Sequence, residues 1–212
     1  MTQIIENRVS GIVGRKGTGK TWRLSRMFCA ERRAVLYQPV RRNTECDHCA
    51  NVIDNGDLNE VYDYLQADGF RVVYKPPDTD FVRKGNRLLY SSLVPIAKMC
   101  YEVGDMTLFL DEAHMLMNQY TIDPELERIV FLARNTRLSI VWVAQSMEVH
   151  RDIRRNTDTF YFMRITEPSD LEKIAERCGD QCSERVANLR CVRQEGERVI
   201  PGECFIWDSM AL

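Results

Sequence analysis

The feature that most constrains this chain is a short apolar run that leads directly into a glycine-rich segment, RVSGIVGRKGTGKTW (8–22). Lys20 and Thr21 come immediately after the second of two spaced glycines, Gly14 and Gly19. In this pattern the glycines let backbone N–H groups turn towards phosphate oxygens at the start of a helix. The alternative is a flexible turn with a coincidental lysine, which leaves the preceding apolar run unexplained. We therefore expect a strand, a phosphate-binding loop and a helix in succession.

The loop predicts roles in ATP binding for consecutive residues. The Lys20 ammonium is expected to reach the β- and γ-phosphates, which makes it a catalytic as well as a binding residue, and the Thr21 hydroxyl is expected to hold Mg²⁺. The residues predicted to bind the nucleotide are Gly14, Arg15, Lys16, Gly17, Thr18, Gly19, Lys20, Thr21 and Trp22.

Further apolar runs without alternation follow, separated by helical segments. Strands are predicted in RVSGIVG, AVLYQPV, FRVVYKPP, MTLFLDEAH, LSIVWVAQS, TFYFMRI and GECFIWD. Helices are predicted over about 20–32, 57–69, 87–103 with a kink or restart at Pro95, 123–137 and 167–179. Continuous apolar strands between helices indicate a parallel sheet covered on both faces. We therefore predict an α/β fold of the P-loop NTPase type, a single domain over 1–212 with a polar loop or small insert at 41–56.

Two acids end the apolar run LFLDE (108–112). Asp111 is expected to orient Mg²⁺ through water, and Glu112 to polarise the water that attacks the γ-phosphate. A carboxylate poised on water suits hydrolysis, because a small-molecule kinase uses its substrate as the nucleophile. The less specific alternative is that both acids are solvated at a strand end or cap the next helix.

The strand LSIVWVAQ, which follows the acidic strand, ends in Gln145. Ligands of doubly wound sheets bind at the carboxyl ends of the strands. We therefore expect Gln145 to lie beside the loop and the two acids, where its amide would sense the γ-phosphate. An ordinary strand-end residue is the alternative.

Arg134 and Arg137 lie at the turn before that strand, in LARNTRLSIVW. From there neither side chain easily reaches the nucleotide of its own subunit. We expect Arg134, or else Arg137, to act as an arginine finger on the nucleotide of a neighbouring subunit. A surface salt bridge is the alternative for each.

Composition limits the partners of the chain. The net charge of −2 and the pI of about 6.0 give no general basic field, so any DNA contact must come from local clusters. Basic clusters occur at 32–33, 41–43, 83–84 and 150–155, and we favour the last, with Arg151, Arg154 and Arg155, over a merely solvated face. No apolar run is as long as a membrane span and no leader peptide is apparent, so an intracellular protein is expected.

Eight cysteines include two close pairs, CDHC (46–49) and CGDQC (178–182). One interpretation is a zinc site made by Cys46, Cys49, Cys178 and Cys182, with His48 as a substitute ligand. The interpretation we favour is a set of reduced thiols, as is usual inside cells.

In order, the motifs are GRKGTGKT, VLYQP, DGFRVVYKPP, LFLDEAH and ARNTRLSIVWVAQS. This order resembles the FtsK/HerA superfamily of ring-forming DNA-pumping ATPases, in particular the small genome-packaging ATPases of viruses with double jelly-roll capsids and internal membranes. The resemblance covers roughly residues 8–207. The chain departs from the family pattern at Gln38 (usually aspartate), Arg137 (usually glycine) and Ala144 (usually threonine).

The resemblance implies a homo-oligomeric ring, hexameric or pentameric, through which duplex DNA passes without sequence preference. ATP hydrolysis at subunit interfaces would then drive DNA into a preformed capsid, with capsid or portal proteins as partners, in the host cytoplasm or at the virion vertex. Three alternatives stay open at this point: a phage assembly ATPase of the zonula-occludens-toxin type, a monomeric nucleotide kinase, and a nucleotide-gated regulatory module.

Overall fold

The computed structural model describes residues 8–84, 87–195, 198–200 and 202–209. The strands are β1 (Val9–Val13), β2 (Arg33–Tyr37), β3 (Asn51–Ile53), β4 (Phe70–Tyr74), β5 (Phe81–Lys84), β6 (Arg87–Tyr90), β7 (Met106–Leu110), β8 (Leu138–Ala144), β9 (Thr159–Phe162), β10 (Arg193–Glu195), β11 (Arg198–Ile200) and β12 (Phe205–Asp208). The helices are α1 (Lys20–Ala30), α2 (Leu58–Leu65), α3 (Leu93–Val103), α4 (Ala113–Leu116), α5 (Pro124–Leu132), α6 (Arg151–Asn156), α7 (Pro168–Cys178) and α8 (Asp180–Ala187). Short 3-10 turns span Glu45–His48, Asp78–Asp80 and Ala133–Thr136.

One eight-stranded sheet forms the centre, in the order β12-β9-β1-β8-β7-β2-β4-β3. Every neighbouring pair in it is parallel except β12 and β9, which are antiparallel. Parallel neighbours need crossover connections, and the helices supply them. The predicted α/β fold with a mostly parallel sheet is therefore confirmed.

Both faces of the sheet are buried, which is why its strands read as continuous apolar runs. On one face, Ile12, Leu36 and Phe109 pack against α1 and the turn Glu45–His48. The opposite face packs against buried side chains from α2 to α8. α1 and this turn are therefore the main cover of their face of the sheet. Because side chains alternate along each strand, neighbouring strand residues contact opposite faces.

The structure corrects the prediction in four segments. Residues 87–90 form a hairpin strand with β5, and the helix predicted over 87–103 begins only at Leu93. Pro95 lies in the first turn of α3, where its missing N–H would have no helical partner, so it causes no kink. Residues 41–56 include the strand β3 at the edge of the sheet, and the sequence analysis missed both α8 and the hairpin β10–β11.

Candidate nucleotide-binding site

Four strand ends lie side by side at one edge of the sheet. β1, β8, β7 and β2 are parallel neighbours in that order, so their carboxyl ends meet. The residues that follow them are Gly14, Gln145, Asp111 and Gln38. The last residue of each of these strands packs on the face of the sheet opposite α1. Because side chains alternate along a strand, the next residue is directed towards the face that α1 covers. The candidate site is therefore the edge where α1 begins.

Close packing and backbone geometry explain the glycines of the loop. A Cβ on Gly14 would lie 2.5 Å from the Cβ of Met163, which no real side chain tolerates. Gly19 has φ 100°, in the left-handed region where other residues are strained. The loop therefore turns tightly beneath the ends of β1 and β9 before it enters α1.

The start of α1 presents donors to an anion. Gly19 occupies the N-cap and has no side chain with which to cap the first N–H groups of the helix. Lys20 Nζ and Thr18 Oγ1 both donate to the carbonyl of Arg15, at 2.9 Å and 2.7 Å, which curls the loop. Burial lowers the pKa of Lys20, and the carboxylates of Glu112 and Asp111 oppose this. A lysine and free N–H groups at a helix start are suited to phosphate oxygens.

The two acids follow β7 directly. Asp111 is buried; its Oδ1 accepts the N–H of Glu112 at 3.0 Å, and its Oδ2 accepts Nη2 of Arg42 at 2.8 Å. The pKa of Asp111 is raised, because burial outweighs the opposing effect of the nearby Arg42. Glu112 has φ 48°, an uncommon left-handed conformation for a residue other than glycine. Strain of this kind concentrates at functional sites.

Two polar side chains lie against the Glu112 carboxylate. Nε2 of Gln145 donates to Glu112 Oε2 at 3.2 Å, and Nδ1 of His114 lies 3.6 Å from the same oxygen. The strand of Gln145, β8, lies between the loop strand and the acidic strand, as the predicted sensor position requires. The structure thus brings Gln145 and Glu112 into contact close to the loop, and it adds His114, for which the sequence analysis had no role.

Arg42 is the functional candidate that sequence reasoning misplaced. The sequence analysis put it in a basic cluster for DNA, yet its guanidinium contacts Asp111, 69 residues away, and lies 3.8 Å from Glu112 Oε1. No local pattern announces such a contact, because it depends on how β2 and β7 pair.

Gln38 follows β2, next to the position of Asp111 after β7, and is fully buried. Within the described part of the chain, neither its Nε2 nor its Oε1 has a hydrogen-bond partner. Its backbone N–H donates to Tyr74 at 2.9 Å, so the strand pairing itself is intact. A buried amide of this kind calls for water or a ligand.

Open clefts lie on both sides of the loop. One, of about 560 Å³, is lined by Gly17, Gly19, Lys20, Thr21, Trp22, Glu45 and Val192. The other, of about 920 Å³, includes Arg15, Lys16 and Gln145. The predicted nucleotide residues other than Gly14, which is buried, therefore line solvent-accessible space, and the Trp22 ring is partly exposed there. The Arg15 side chain lies in the larger cleft, where its Nη1 donates to Thr166 Oγ1 at 3.3 Å.

The donors at this edge suit a hydrated Mg²⁺ ion. Asp111 supplies a carboxylate and Thr21, in the first turn of α1, supplies a hydroxyl. The orphaned amide of Gln38 lies beside Asp111 and suits a water molecule of the hydration shell. Oxygen ligands and retained waters are what Mg²⁺ prefers.

The predicted arginine fingers lie before the start of β8, at the amino ends of the strands, whereas the candidate site lies at their carboxyl ends. Arg134 pairs with Asp158, a buried carboxylate that also accepts the N–H of Val9. Arg137 is more exposed and lies 3.8 Å from Asp105. Both arginines thus make the ion pairs that the alternative interpretation expected, and neither is near the candidate site of its own chain, so the role as a finger for a neighbouring subunit stays a prediction.

The favoured basic cluster lies on α6, and its arginines differ in accessibility. Arg151 and Arg155 are exposed, whereas Arg154 is half-buried and donates to the carbonyl of Met147. Burial lowers the pKa of Arg154. Arg151 and Arg155 are thus the better placed for an outside partner. The side chains of Arg83 and Lys84 lie outside the described residues.

The zinc interpretation of the cysteines is wrong. Cys49 forms a disulfide with Cys29 of α1, and Cys46 packs on the α1 face of the sheet. Cys178 and Cys182 belong to the opposite face, where α7 and α8 pack. The sheet separates the two pairs. The disulfide also corrects the expectation that all thiols are reduced.

Among the described residues, one group has three metal-ligand side chains close together: Glu127, His150 and Asp152. His150 Nδ1 lies 3.9 Å from Glu127 Oε1, and Asp152 pairs with Arg151. The basic surface of α6 disfavours a cation there.

No helix in the described ranges has the length and apolar content to cross a bilayer. The amino-terminal residues on which the leader prediction rests lie outside those ranges.

No protein-family model matches the sequence, and no curated protein matches it either. Solved structures do. The genome packaging NTPase B204 from Sulfolobus turreted icosahedral virus 2, in complex with ATP-gammaS, is similar with a TM-score of 0.70 at 15% identity, over 97% of this chain and 94% of that one.

Two further structures are similar. B204, the DNA-packaging ATPase from Sulfolobus turreted icosahedral virus, has a TM-score of 0.70 at 15% identity, over 98% of this chain and 95% of that chain. The cytoplasmic domain of EssC has a TM-score of 0.52 at 12% identity, over 98% of this chain and 41% of that chain. At these identities the likeness shows the fold alone.

Proposed function

We propose that this chain is a Mg²⁺-dependent ATPase that translocates duplex DNA as a ring of identical subunits and packages a viral genome into a preformed capsid. The observation that carries the proposal is the contact between Glu112 and Gln145 at the sheet edge where the phosphate loop begins. It is supported by a fold shared with a packaging NTPase solved with ATP-gammaS. Capsid or portal proteins would be partners, in the host cytoplasm or at the virion vertex.

The proposed chemistry is transfer of the γ-phosphoryl group to water. The water oxygen forms a bond to the γ-phosphorus, and the bond from phosphorus to the β–γ bridging oxygen breaks, with its electron pair going to the departing ADP. Glu112 orients the water and accepts its proton, which then passes to solvent. Lys20 neutralises charge on the β- and γ-phosphates. The products are ADP and inorganic phosphate.

Other side chains prepare this step. Gln145 holds the Glu112 carboxylate in place and lies where a γ-phosphate sensor is expected. Thr21 and Asp111 are suited to hold Mg²⁺, which supplies positive charge to the phosphate oxygens when bound. Arg134 or Arg137 would complete the site of the neighbouring subunit, and exposed arginines of α6 would contact DNA phosphates.

Phosphate release from ATP tests the enzymatic part of this proposal. The wild type should release phosphate with Mg²⁺ present, without phosphorylating any added nucleoside or nucleotide. Glu112→Gln should abolish release while ATP still binds, because it removes the proton acceptor and leaves the loop intact. Unchanged turnover in that variant would contradict the role of Glu112, and transfer to an acceptor would indicate a kinase.

A further inference from the structure

Arg42 lies inside the nucleotide site, although it comes from outside both the phosphate loop and the acidic strand. Its Nη2 is 2.8 Å from Asp111 Oδ2 and 3.8 Å from Glu112 Oε1. Burial is the main cause that lowers the pKa of Lys20, and the charge of Arg42 adds to it. The guanidinium therefore lies within electrostatic reach of the lysine and of both acids.

The segment that carries Arg42 is fixed to the site. We call residues 38–50 the β2–β3 segment. The disulfide from Cys29 to Cys49 ties it to α1, the helix that begins at the phosphate loop. A part-buried ion pair of 2.7 Å between Lys75 and Asp47 ties it to the end of β4. With both anchors in place, little ordering is left for the segment when a ligand binds.

Its neighbour Arg41 shows what a purely structural arginine looks like here. Arg41 donates to two backbone carbonyls, Pro76 at 3.2 Å and Asp54 at 2.6 Å. Arg42 has a different environment: more than a third of its side chain is exposed, and its Nε has no hydrogen-bond partner among the described residues. Arginine has five donors, so several remain for a ligand.

We propose that Arg42 binds the γ-phosphate of the nucleotide held by its own subunit. The inference rests on the proposed function, because it takes this edge as a triphosphate site. If Asp111 binds Mg²⁺, the guanidinium loses that partner and keeps only the longer contact with Glu112, at 3.8 Å, so its free N–H groups can donate to the triphosphate. Arg42 then stabilises the negative charge that spreads over the γ-phosphate oxygens during transfer. This is a role in cis, distinct from the finger that a neighbouring subunit would supply.

Selective nucleotide binding tests the proposal without turnover. In the Glu112→Gln background, fluorescent ATP and ADP derivatives are titrated against chains with Arg42, Arg42→Lys or Arg42→Ala. A charge-assisted hydrogen bond to the γ-phosphate predicts that Arg42→Ala weakens ATP binding by roughly 10-fold or more, whereas ADP binding stays within about 2-fold. Arg42→Lys should lose less, because it keeps the charge. Arg128→Ala, which removes an exposed arginine of α5, is the matched control and should change neither affinity.

Turnover gives the second readout. With Glu112 intact, Arg42→Ala should lower kcat by roughly 10²–10³-fold, as removal of one transition-state donor does elsewhere. If ATP and ADP affinities fall together, or neither changes, Arg42 is no ligand of the γ-phosphate. If only the melting temperature falls, the contact with Asp111 is structural and the proposal is overturned. Should the wild type bind ATP yet release no phosphate, the ATPase proposal fails, while the ATP-to-ADP comparison still decides the role of Arg42.

Mixing experiments distinguish cis from trans. Arg42→Ala subunits, which turn over slowly, and Glu112→Gln subunits, which do not turn over, are combined before assay, and a tag on one variant verifies that they share oligomers. If Arg42 acts on its own nucleotide, every site keeps one defect and turnover does not rise above that of the Arg42→Ala subunits. Recovered turnover would show that the arginine serves a neighbour and would overturn the assignment.

Discussion

Gln38 has the least satisfied environment of the residues at this site. Its amide is fully buried beside Asp111, and neither polar atom has a partner in the described chain. An unsatisfied buried polar group costs about 1–3 kcal/mol of stability. We infer that the amide binds a water molecule beside the expected metal site.

Replacing Gln38 with leucine tests this inference. Gln38→Leu removes the polar group and keeps most of the volume, so the free energy of unfolding should stay the same or rise by about 1 kcal/mol. Turnover of ATP should fall, because the water beside Asp111 loses its ligand. Chemical denaturation and phosphate release, measured on one preparation, check both parts. A marked loss of stability with unchanged turnover would show that the amide is structural.

At the residue scale, sequence predicted the side chains whose neighbours lie close along the chain. The loop glycines and Lys20 form one continuous pattern, and the structure explains Gly14 by its close approach to Met163 and Gly19 by its left-handed backbone. Arg42 was not predictable, because its partner Asp111 belongs to a strand that meets β2 only in the folded sheet. Basic neighbours in the sequence made it look like a surface cluster.

The β2–β3 segment is the element on which the Arg42 proposal depends. Arg71, on β4, donates from Nε to the carbonyl of Cys49 and from Nη1 to that of Glu31, each within 3 Å. These bonds join the segment, the end of α1 and the sheet edge. The disulfide between Cys29 and Cys49 closes a covalent loop around the same junction.

Cys29→Ser measures what that covalent link contributes. Closing a loop of about 20 residues stabilises a fold by about 3 kcal/mol in the chain-entropy description. We expect Cys29→Ser to lower the free energy of unfolding by about that amount under oxidising conditions. With reductant present, wild type and variant should unfold alike, which is the internal control. Equal stability under oxidising conditions would show that the cysteines are not joined in solution.

At the element scale, long apolar strands and amphipathic helices were predicted well because burial imposes their patterns. The short edge strand β3 and the hairpin β5–β6 were not, since three or four residues carry too little periodicity. The start of α3 was misread for a related reason: RLLYSSL continues the helical pattern, but the pairing of β6 with β5 takes its first residues. Tertiary pairing decided these segments.

At the scale of the whole molecule, the candidate nucleotide site lies at the carboxyl ends of the strands and the predicted arginine fingers lie at their amino ends. A ring in which each subunit presents its Arg134 edge to the next subunit's phosphate loop would bring them together. The ion pair with Asp158 would then have to open, or Arg137 would act instead.

Complementation in mixed assemblies tests this arrangement. Arg134→Ala and Glu112→Gln should each be inactive alone. Mixed in equal amounts, about a quarter of the interfaces pair an intact Glu112 with an intact Arg134, so turnover should return in part. An affinity tag on one variant verifies that mixed oligomers form, because it then retains the untagged variant as well. No recovery in mixed oligomers would mean that Arg134 is not the finger, and the same experiment with Arg137→Ala then examines the remaining candidate.

The most direct measurement of the central claim is ATP turnover with and without duplex DNA, with the mass of the particle determined in the same buffer. A DNA-pumping ring predicts turnover that rises several-fold with duplex DNA of any sequence, falls back as salt increases, and comes from a particle of five or six chains. ATP turnover that is the same with and without duplex DNA, from a particle of one chain, would contradict the account.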